Sequence, residues 1–407
     1  MTQGARGIPA RRSVLGAAVL GSAATVAAGT AAPAAAATGI AGTAAGAAAG
    51  TAAARSGAAS GSYRRLPVPT IIAHRGVSGQ RPEHTLGSYQ LALELGAHLI
   101  EQDVVPTRDG HLVCRHENDI TGTTDVADRP EFAARKTTKT VDGAKLTGWF
   151  TEDFTLAELK TLRAKERIPA VRQRNTLYDG RWDVPTLEEV LRWAEREGRR
   201  RGHPVWLYIE TKHPTYFRKL GLGLEERLAG LLRRYGRHRA DGATLLQSFE
   251  PSSLRRLAGL VRTPRVLLLD AAATRPWDFT EAKDPRTVAD LITPAGLKEV
   301  ASYAQGIGPT LDLIIPKGAD GRLGRPTSLV RDAHARGLIL HPYTMRNENS
   351  FLPADFRRGS DPAAYGDVFG AYRTYLATGI DGVFTDNCDT GLLAAADFHE
   401  GDREHGH

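Results

Sequence analysis

The chain has 407 residues, 41% of them hydrophobic and 24% charged, so it is long enough to bury one large core or two ordinary ones. Its formal charge of +7 is mild, and it has no basic run interleaved with aromatics, which argues against nucleic acid as a partner. The two cysteines, Cys114 and Cys388, exclude a disulfide-stapled scaffold. We predict two buried thiols, and a single bridge between them is the alternative.

The first 37 residues have the pattern of an export signal. Arg11 and Arg12 precede an apolar, alanine-rich run, and Ala35–Ala37 offers a small-residue cleavage site. We therefore predict a signal peptide over residues 1–37, of the twin-arginine type, and an exported protein that is secreted, periplasmic or associated with the cell wall. The Sec route is the alternative, because the usual Phe and Lys do not follow the arginines. The run is too rich in Ala, Gly and Thr to hold well in a bilayer, so we expect no stable membrane span after cleavage.

Two further segments flank the predicted catalytic domain. Residues 38–65 are mostly Ala, Gly, Thr and Ser, which predicts a flexible linker because such a segment cannot bury a core. Residues 398–407 are charged and contain histidines, and we predict a disordered tail there. The folded domain is then expected over residues 66–397.

The first two predicted strands of this domain carry chemically active side chains. A short apolar strand ends at His74 and Arg75, and the glycine that follows lets the chain turn closely. In the next strand Glu101 and Asp103 are two residues apart, so both carboxylates point to the same face. Two anions in an apolar strand repel each other unless a cation lies between them. This pattern predicts a divalent metal.

A hairpin brings a second histidine back toward these carboxylates. The turn at 107–110 is of the Asp-Gly type, and four residues are too few for a parallel crossover. If the ends of the turn pair with each other, Asp103 lies opposite Cys114. Two residues further along, Glu101 lies opposite His116. We therefore expect His116 on the metal face.

The rest of the chain predicts a barrel. Residues 117–183 follow no regular rhythm, but after them strands and helices alternate, and capping boxes at Thr155 and Thr186 each begin a helix. With the hairpin counted as one strand there are eight, which predicts an α/β fold of the (β/α)₈ TIM barrel type with its site at the carboxyl ends of the strands. A doubly wound open sheet is the alternative, although the turn after the first strand has no GxGxxG spacing.

A series of ordered motifs carries a resemblance to a known family. The segments HRG, PEHT, EQDV, TRDG and RHEND, followed by SFE, GIGP, HPYTMR and DGVFTD, resemble the glycerophosphodiester phosphodiesterase family, most closely its periplasmic, exported branch. The resemblance implies a phospholipase C-like phosphodiesterase barrel in which 117–183 is an insertion subdomain after the second-strand hairpin. It also implies metal-dependent hydrolysis of glycerophosphodiesters to sn-glycerol 3-phosphate and an alcohol.

Within this hypothesis each site residue has an expected role. Glu210 ends the third strand and joins Glu101 and Asp103 in an all-oxygen set that suits one hard divalent cation, Mg²⁺ or Ca²⁺, of which the resemblance favours Ca²⁺. Arg75 and Lys212 are expected to neutralise the phosphate, with simple ion pairing to the carboxylates as the alternative.

The proton transfers and the substrate contacts are assigned to other residues. His74 and His116 suit a general acid and base pair, because the imidazole pKa lies near neutrality. Glu83 is expected to orient Arg75, the metal shell or the substrate, while Phe249 and Tyr343 wall the glycerol pocket. Asp386 is expected to support the site from behind.

Other functions fit the same residues. A phospholipase D-like or phospholipase C-like enzyme, or a hydrolase of glycerol-phosphate cell-wall polymers, would keep the fold and the metal and change the substrate. A surface protein that uses the barrel only for binding is a third possibility, against which the complete set of histidines and carboxylates argues.

Overall fold

A computed structural model describes residues 62–404 of the chain. The predicted signal peptide and residues 38–61 of the predicted linker lie outside the described residues. The strands are β1 (Thr70–Ala73), β2 (Leu99–Pro106), β3 (Leu112–Cys114), β4 (Thr137–Val141), β5 (Ala144–Gly148), β6 (Leu207–Thr211), β7 (Thr244–Ser248), β8 (Arg265–Leu269), β9 (Gly306–Pro309), β10 (Ile339–Leu340) and β11 (Gly382–Thr385).

Eight of these strands form a parallel barrel. They are hydrogen-bonded in the order β10-β9-β8-β7-β6-β2-β1-β11, and β3 pairs antiparallel with β2 outside this path. Backbone bonds from Asp381 N to Leu340 O (3.1 Å) and from Phe384 N to Pro342 O (3.0 Å) join the two ends of the path. The predicted (β/α)₈ barrel is confirmed, and the open doubly wound sheet is excluded.

Helices alternate with the barrel strands and cover them. The predicted capping boxes at Thr155 and Thr186 are both present, and they begin the second and third helices. The helices are α1 (Leu86–Leu95), α2 (Leu156–Leu159), α3 (Leu187–Arg201), α4 (Pro214–Lys219), α5 (Leu224–Arg234), α6 (Pro251–Leu260), α7 (Trp277–Glu281), α8 (Val288–Leu291), α9 (Pro294–Val300), α10 (Leu311–Ile314), α11 (Leu329–His334), α12 (Val368–Leu376) and α13 (Cys388–Glu404). Over residues 62–404 no helix is both long enough and apolar enough to cross a bilayer.

The segment 117–183 lies between β3 and α3 and adds no strand to the barrel. It contains the separate two-stranded sheet of β4 and β5, the short helix α2 and several 3₁₀ turns. Its irregular sequence therefore corresponds to an irregular structure. Both Cys114 and Cys388 are buried and free, so the alternative of a disulfide between them is wrong.

The predicted register of the β2–β3 hairpin is wrong by one residue. Val104, and not Asp103, pairs with Cys114. The turn is one residue longer than expected, because Thr107 N donates to His111 O (2.8 Å) and Gly110 adopts a left-handed conformation with φ +83°. A three-residue loop that ends in a left-handed glycine is a common hairpin connection. His116 nevertheless reaches the site, because β3 ends at Cys114 and the chain then leaves the strand path.

Both ends of the domain are more ordered than predicted. Residues 62–65, assigned to the linker, form a 3₁₀ turn, and Tyr63 is buried in the barrel interior with side chains from seven of the eight strands. At the other end α13 continues through residues 398–404, so the prediction of a disordered tail is wrong for those residues. The reason is that Leu392 and Phe398 of this helix pack against the main core, which stabilises the helix beyond residue 397.

A buried carboxylate beyond the end of β7 makes stability depend on pH. Burial raises the pKa of Glu250 from 4.5 to about 8, although Thr215 donates to it from its backbone N (3.1 Å) and its hydroxyl. The folded protein therefore holds a proton that the unfolded chain has released, and this group costs stability as pH rises from about 5 to about 8. Glu250→Gln is expected to raise the melting temperature relative to wild type more at pH 8 than at pH 5. An equal effect at both values would contradict this assignment.

Candidate active site

A cavity of about 240 Å³ opens at the carboxyl ends of the barrel strands. Eight of the ten residues predicted for the site line it, and Asp103 and Glu83 contact residues that do. The eight are His74, Arg75, Glu101, His116, Glu210, Lys212, Phe249 and Tyr343. The tertiary fold therefore brings together side chains that lie on or shortly after six strands, β1, β2, β3, β6, β7 and β10, as a catalytic site in such a barrel requires.

Three carboxylates form the acidic centre of the site. Oxygens of Glu101, Asp103 and Glu210 lie within 4.8 Å of one another, because β2 and β6 are neighbours and Asp103 pairs with Glu210 in register. One Asp103 oxygen contacts His84 Nε2 at 2.8 Å, and the other is buried with no hydrogen-bond partner among the described residues. An orphaned carboxylate oxygen beside two further carboxylates fits a hard cation, so the triad could hold one divalent ion.

The pKa values of the triad reflect the same crowding of negative charge. Burial and the neighbouring Asp103 raise the pKa of Glu101 well above its ordinary value, and burial raises that of Glu210 to about 8. Burial also acts against ionisation of Asp103, but Lys212 and His84 outweigh it and hold the pKa of Asp103 well below the ordinary value. Three buried carboxylates this close together stay ionised only with a compensating cation.

His74 is held by a buried carboxylate. Its Nδ1 lies 2.6 Å from an Asp386 oxygen, and the other Asp386 oxygen accepts from Arg172 Nη2 (2.5 Å) and Arg346 Nε (2.8 Å). Burial and the nearby Arg75 lower the pKa of His74 to about 4, against the opposing effect of Asp386. With Nδ1 committed to the carboxylate, the free ring atom is Nε2, which lies 3.9 Å from Glu101. Asp386 thus connects His74 with two arginines, and its expected supporting role stays a prediction.

His116 is held in the same way by its neighbour in sequence. Its Nδ1 donates to Glu117, and its Nε2 accepts from Lys212 Nζ at 3.2 Å. Burial, with Arg75 and Lys212, lowers the pKa of His116. Both histidines therefore have Nδ1 bound to a carboxylate, while Nε2 of His74 lies near Glu101 and Nε2 of His116 contacts Lys212.

The two predicted phosphate-binding cations also have carboxylate partners. Arg75 donates from its backbone N to Glu101 (2.7 Å) and from Nη1 to Glu83 (3.1 Å), and Lys212 Nζ lies 2.8 Å from Glu210. The alternative role as ion-pair partners is therefore observed. Both side chains also line the cavity, so the ion pairing does not remove them from it.

Glu83 orients Arg75 and does not line the cavity. Arg167 binds it in a fork, with Nε at 2.7 Å and Nη2 at 2.6 Å, and Arg75 contacts it from the cavity side. An acidic group held by two arginines is unsuited to contact an anionic substrate. Of the roles expected for Glu83, the contact with substrate is the one that the structure does not support.

Aromatic rings form the apolar part of the cavity. Phe249 and Tyr343 meet edge to face with their centroids 6.0 Å apart, and Lys212 Nζ lies 5.3 Å from the centre of the Phe249 ring. The Tyr343 hydroxyl donates to Leu269 O at 3.2 Å, which fixes the ring. The two predicted wall residues are therefore adjacent in the cavity.

Several residues around the cavity were not predicted. Gln247 donates to Glu101 at 3.0 Å from the strand position two residues before Phe249, where strand alternation could have indicated it. Arg346 also lines the cavity, and its place in the HPYTMR motif was a usable signal. Arg167 and Arg172 have no such signal, because they belong to the irregular segment 117–183 and their partners are distant in sequence.

The fold and the site together define a barrel enzyme for an anionic substrate. Carboxylates, cations and two carboxylate-bound imidazoles surround one small cavity at the catalytic end of the barrel. Residues 74–390 match the glycerophosphoryl diester phosphodiesterase family. The chain belongs to this family, and it is an enzyme that hydrolyses glycerophosphodiesters.

Individual relatives cover most of the chain. Glycerophosphodiester phosphodiesterase GDPD6 of Arabidopsis thaliana is 37% identical over 78% of this chain and 83% of its own length. A glycerophosphodiester phosphodiesterase of Haemophilus influenzae is 29% identical over 79% of this chain and 88% of its own length. The Oleispira antarctica phosphodiesterase solved in complex with the product sn-glycerol-3-phosphate shares the fold, with a TM-score of 0.52, 21% identity and coverage of 83% of this chain and 99% of its own.

Proposed function

We propose that this enzyme hydrolyses small glycerophosphodiesters to sn-glycerol 3-phosphate and an alcohol, with one divalent cation and with His74 and His116 as general acid and base. One observation carries the proposal. Both imidazoles line the same small cavity, each with Nδ1 bound to a carboxylate, next to a triad of carboxylates and two cationic side chains. A cavity of about 240 Å³ fits a glycerol phosphate better than a lipid with its acyl chains.

The metal-binding residues in this proposal are Glu101, Asp103 and Glu210. Their oxygen-only set suits Ca²⁺ or Mg²⁺, and the resemblance to the exported branch of the family favours Ca²⁺. A cation bound there would supply electrostatic stabilisation for the charge that develops on the phosphate oxygens. Arg75 and Lys212 neutralise the same charge from the other sides of the cavity.

The two histidines divide the proton transfers between them. The carboxylate partners, Asp386 and Glu117, hold Nδ1 of each ring, so proton transfer takes place at Nε2. One ring accepts the proton of the attacking hydroxyl, and the other, which must enter the cycle protonated, donates its Nε2 proton to the leaving alkoxide. The anionic phosphate of a bound substrate favours that protonated form, against the burial and the cations that lower both imidazole pKa values in the free site. If the neighbouring glycerol hydroxyl attacks, the product is a cyclic phosphate, and water opens it with the roles of the two rings reversed.

A direct assay tests substrate and metal together. The mature protein is expected to release glycerol 3-phosphate from glycerophosphocholine, to lose this activity in EDTA, and to regain it with Ca²⁺ or Mg²⁺. Lysophosphatidylcholine and a poly(glycerol phosphate) serve as comparison substrates for the lipid and cell-wall alternatives. Full activity in EDTA would contradict the metal requirement. Hydrolysis of the lipid or the polymer, with no hydrolysis of glycerophosphocholine, would contradict the proposed substrate class.

Export is part of the same proposal. The twin-arginine pattern and the small-residue cleavage site at 35–37 support an enzyme that acts outside the cytoplasm. N-terminal sequencing of protein recovered from the medium or the cell envelope tests it, and a mature chain that begins near residue 38 is the expected result.

A further inference from the structure

The insertion segment 166–175 contacts the carboxylate partners of both histidines. Arg167 Nη1 lies 2.6 Å from the free oxygen of Glu117, whose other oxygen binds His116. Arg172 Nη2 lies 2.5 Å from the Asp386 oxygen that is not bound to His74. One short segment therefore contacts both imidazoles indirectly. Arg167 binds Glu117, which binds His116, and Arg172 binds Asp386, which binds His74. We refer to Arg167 and Arg172 together as the arginine pair.

The segment that carries the arginine pair is itself fixed. Glu166 accepts at one oxygen from Ile168 N (2.9 Å) and at the other from Asn175 Nδ2 (2.8 Å), so its side chain bridges the segment from end to end. Arg172 Nη1 (2.9 Å) and Asn175 Nδ2 (3.0 Å) also both donate to Ser78 O. These bonds dock the segment on the loop that follows β1, which is the loop that begins with His74.

Burial makes Arg172 important to the carboxylate that it contacts. Asp386 is only 2% exposed, and the Arg172 side chain is buried between it and Glu348, with Arg172 Nε 2.6 Å from Glu348. A buried carboxylate that loses a cationic partner is destabilised, and it protonates or turns toward another donor, which for Asp386 is Arg346 on the same oxygen (2.8 Å). Either response would loosen its bond to a histidine Nδ1 and change the direction of Nε2 in the cavity.

We propose that Arg167 and Arg172 are positioning residues for catalysis, and that the segment 166–175 holds the Nε2 atoms of His74 and His116 in their reactive directions at the same time. The inference rests on the proposed function, in which these two rings transfer the protons. It assigns to the insertion subdomain a part in the reaction itself. Misplacement of a reacting group by about 1 Å can cost about 100-fold in rate, so a distant arginine can have a large effect.

A double-mutant cycle tests the connection through Arg172. Arg172→Ala and Asp386→Asn are each expected to lower kcat about 10- to 100-fold with KM changed less than about twofold, and the double variant is expected to be no slower than Asp386→Asn alone. Arg172→Lys keeps the charge but cannot reach all three partners, so an intermediate kcat is expected. Arg174→Ala, an exposed arginine in the same segment, is the matched control and should retain wild-type kcat.

Chemical rescue separates positioning from a general loss of structure. Guanidinium ion at millimolar concentration is expected to restore kcat of Arg172→Ala, whereas urea, which is neutral and of similar shape, is not. Cooperative thermal unfolding of each variant shows that it is folded before its kinetics are compared. Rescue by urea and guanidinium alike would overturn the proposal, because it would indicate simple filling of a void.

The same cycle applies to Arg167. Arg167→Ala and Glu117→Gln are expected to lower kcat by similar factors and to combine less than additively. Because Arg167 also holds Glu83, which orients Arg75, some increase in KM is expected for Arg167→Ala but not for Glu117→Gln. Fully additive effects in both cycles, or wild-type kcat in both arginine variants, would overturn the proposal. Wild-type activity in His74→Ala and His116→Ala would instead contradict the proposed function on which it rests.

Discussion

His74→Ala and His116→Ala are each expected to lower kcat for glycerophosphocholine hydrolysis by about 100- to 10,000-fold, the usual contribution of a general acid or base. Each ring lines the cavity with Nδ1 bound to a carboxylate, and no other imidazole lines that cavity among residues 62–404. Steady-state kinetics measures the loss. His111→Ala is the matched control, since His111 is exposed on the same hairpin, and it should retain wild-type kcat.

Kinetics with a second substrate would show which of the two histidines is the general acid. Replacing the alcohol by nitrophenol gives a leaving group that departs without a proton. The variant that lacks the general acid should therefore recover much of its activity on this substrate, whereas the variant that lacks the base should not. If both variants retain wild-type kcat on the natural substrate, the histidine mechanism is wrong.

Asp103→Asn and Glu210→Gln are expected to abolish stabilisation of the protein by divalent cations. In wild type a cation that binds only the folded state at roughly 100 times its Kd adds about 2.7 kcal/mol to the free energy of unfolding. The triad variants lack one of the three charges that attract it, so Ca²⁺ or Mg²⁺ should no longer raise their melting temperature. Differential scanning fluorimetry with and without EDTA measures this shift.

With cations present, Glu210→Gln is expected to lower the stability of the protein relative to wild type, because the variant loses the stabilisation by the ion. In EDTA the same substitution is expected to raise it. The pKa of Glu210 is raised from 4.5 to about 8 in the folded protein, so its ionisation costs wild-type stability as pH rises through that range. The glutamine variant lacks this cost and should be more stable than wild type in EDTA, with a difference that grows toward pH 8.

Glu250→Gln is the matched control for the triad, because that carboxylate is also buried with a pKa of about 8 but lies outside the triad. It should keep the full cation-induced rise in melting temperature. A cation shift that persists in both triad variants would place the metal elsewhere.

Most of the site could be predicted from local sequence because its residues lie on strands or directly after them. In a parallel barrel every strand ends at the same face, so His74, Glu101 and Glu210 had to lie near one another once their strands were recognised. The predicted register of the β2–β3 hairpin was wrong because the turn is one residue longer than expected and ends in a left-handed glycine. A pattern of hydrophobic alternation does not specify the length of a turn.

The sequence by itself determined the barrel, the two histidines and the carboxylate triad, because strand periodicity and strand ends are local properties. Only the tertiary structure decided that Asp386 holds His74 from a distance, and that Arg172 and Arg167 contact the carboxylates that hold the two histidines. Asp386 and His74 are 312 residues apart, and Arg172 is 214 residues from Asp386. The physical reason is that ion pairs between distant segments form only when the barrel closes and the insertion docks on it. Residue spacing in the sequence therefore does not predict them.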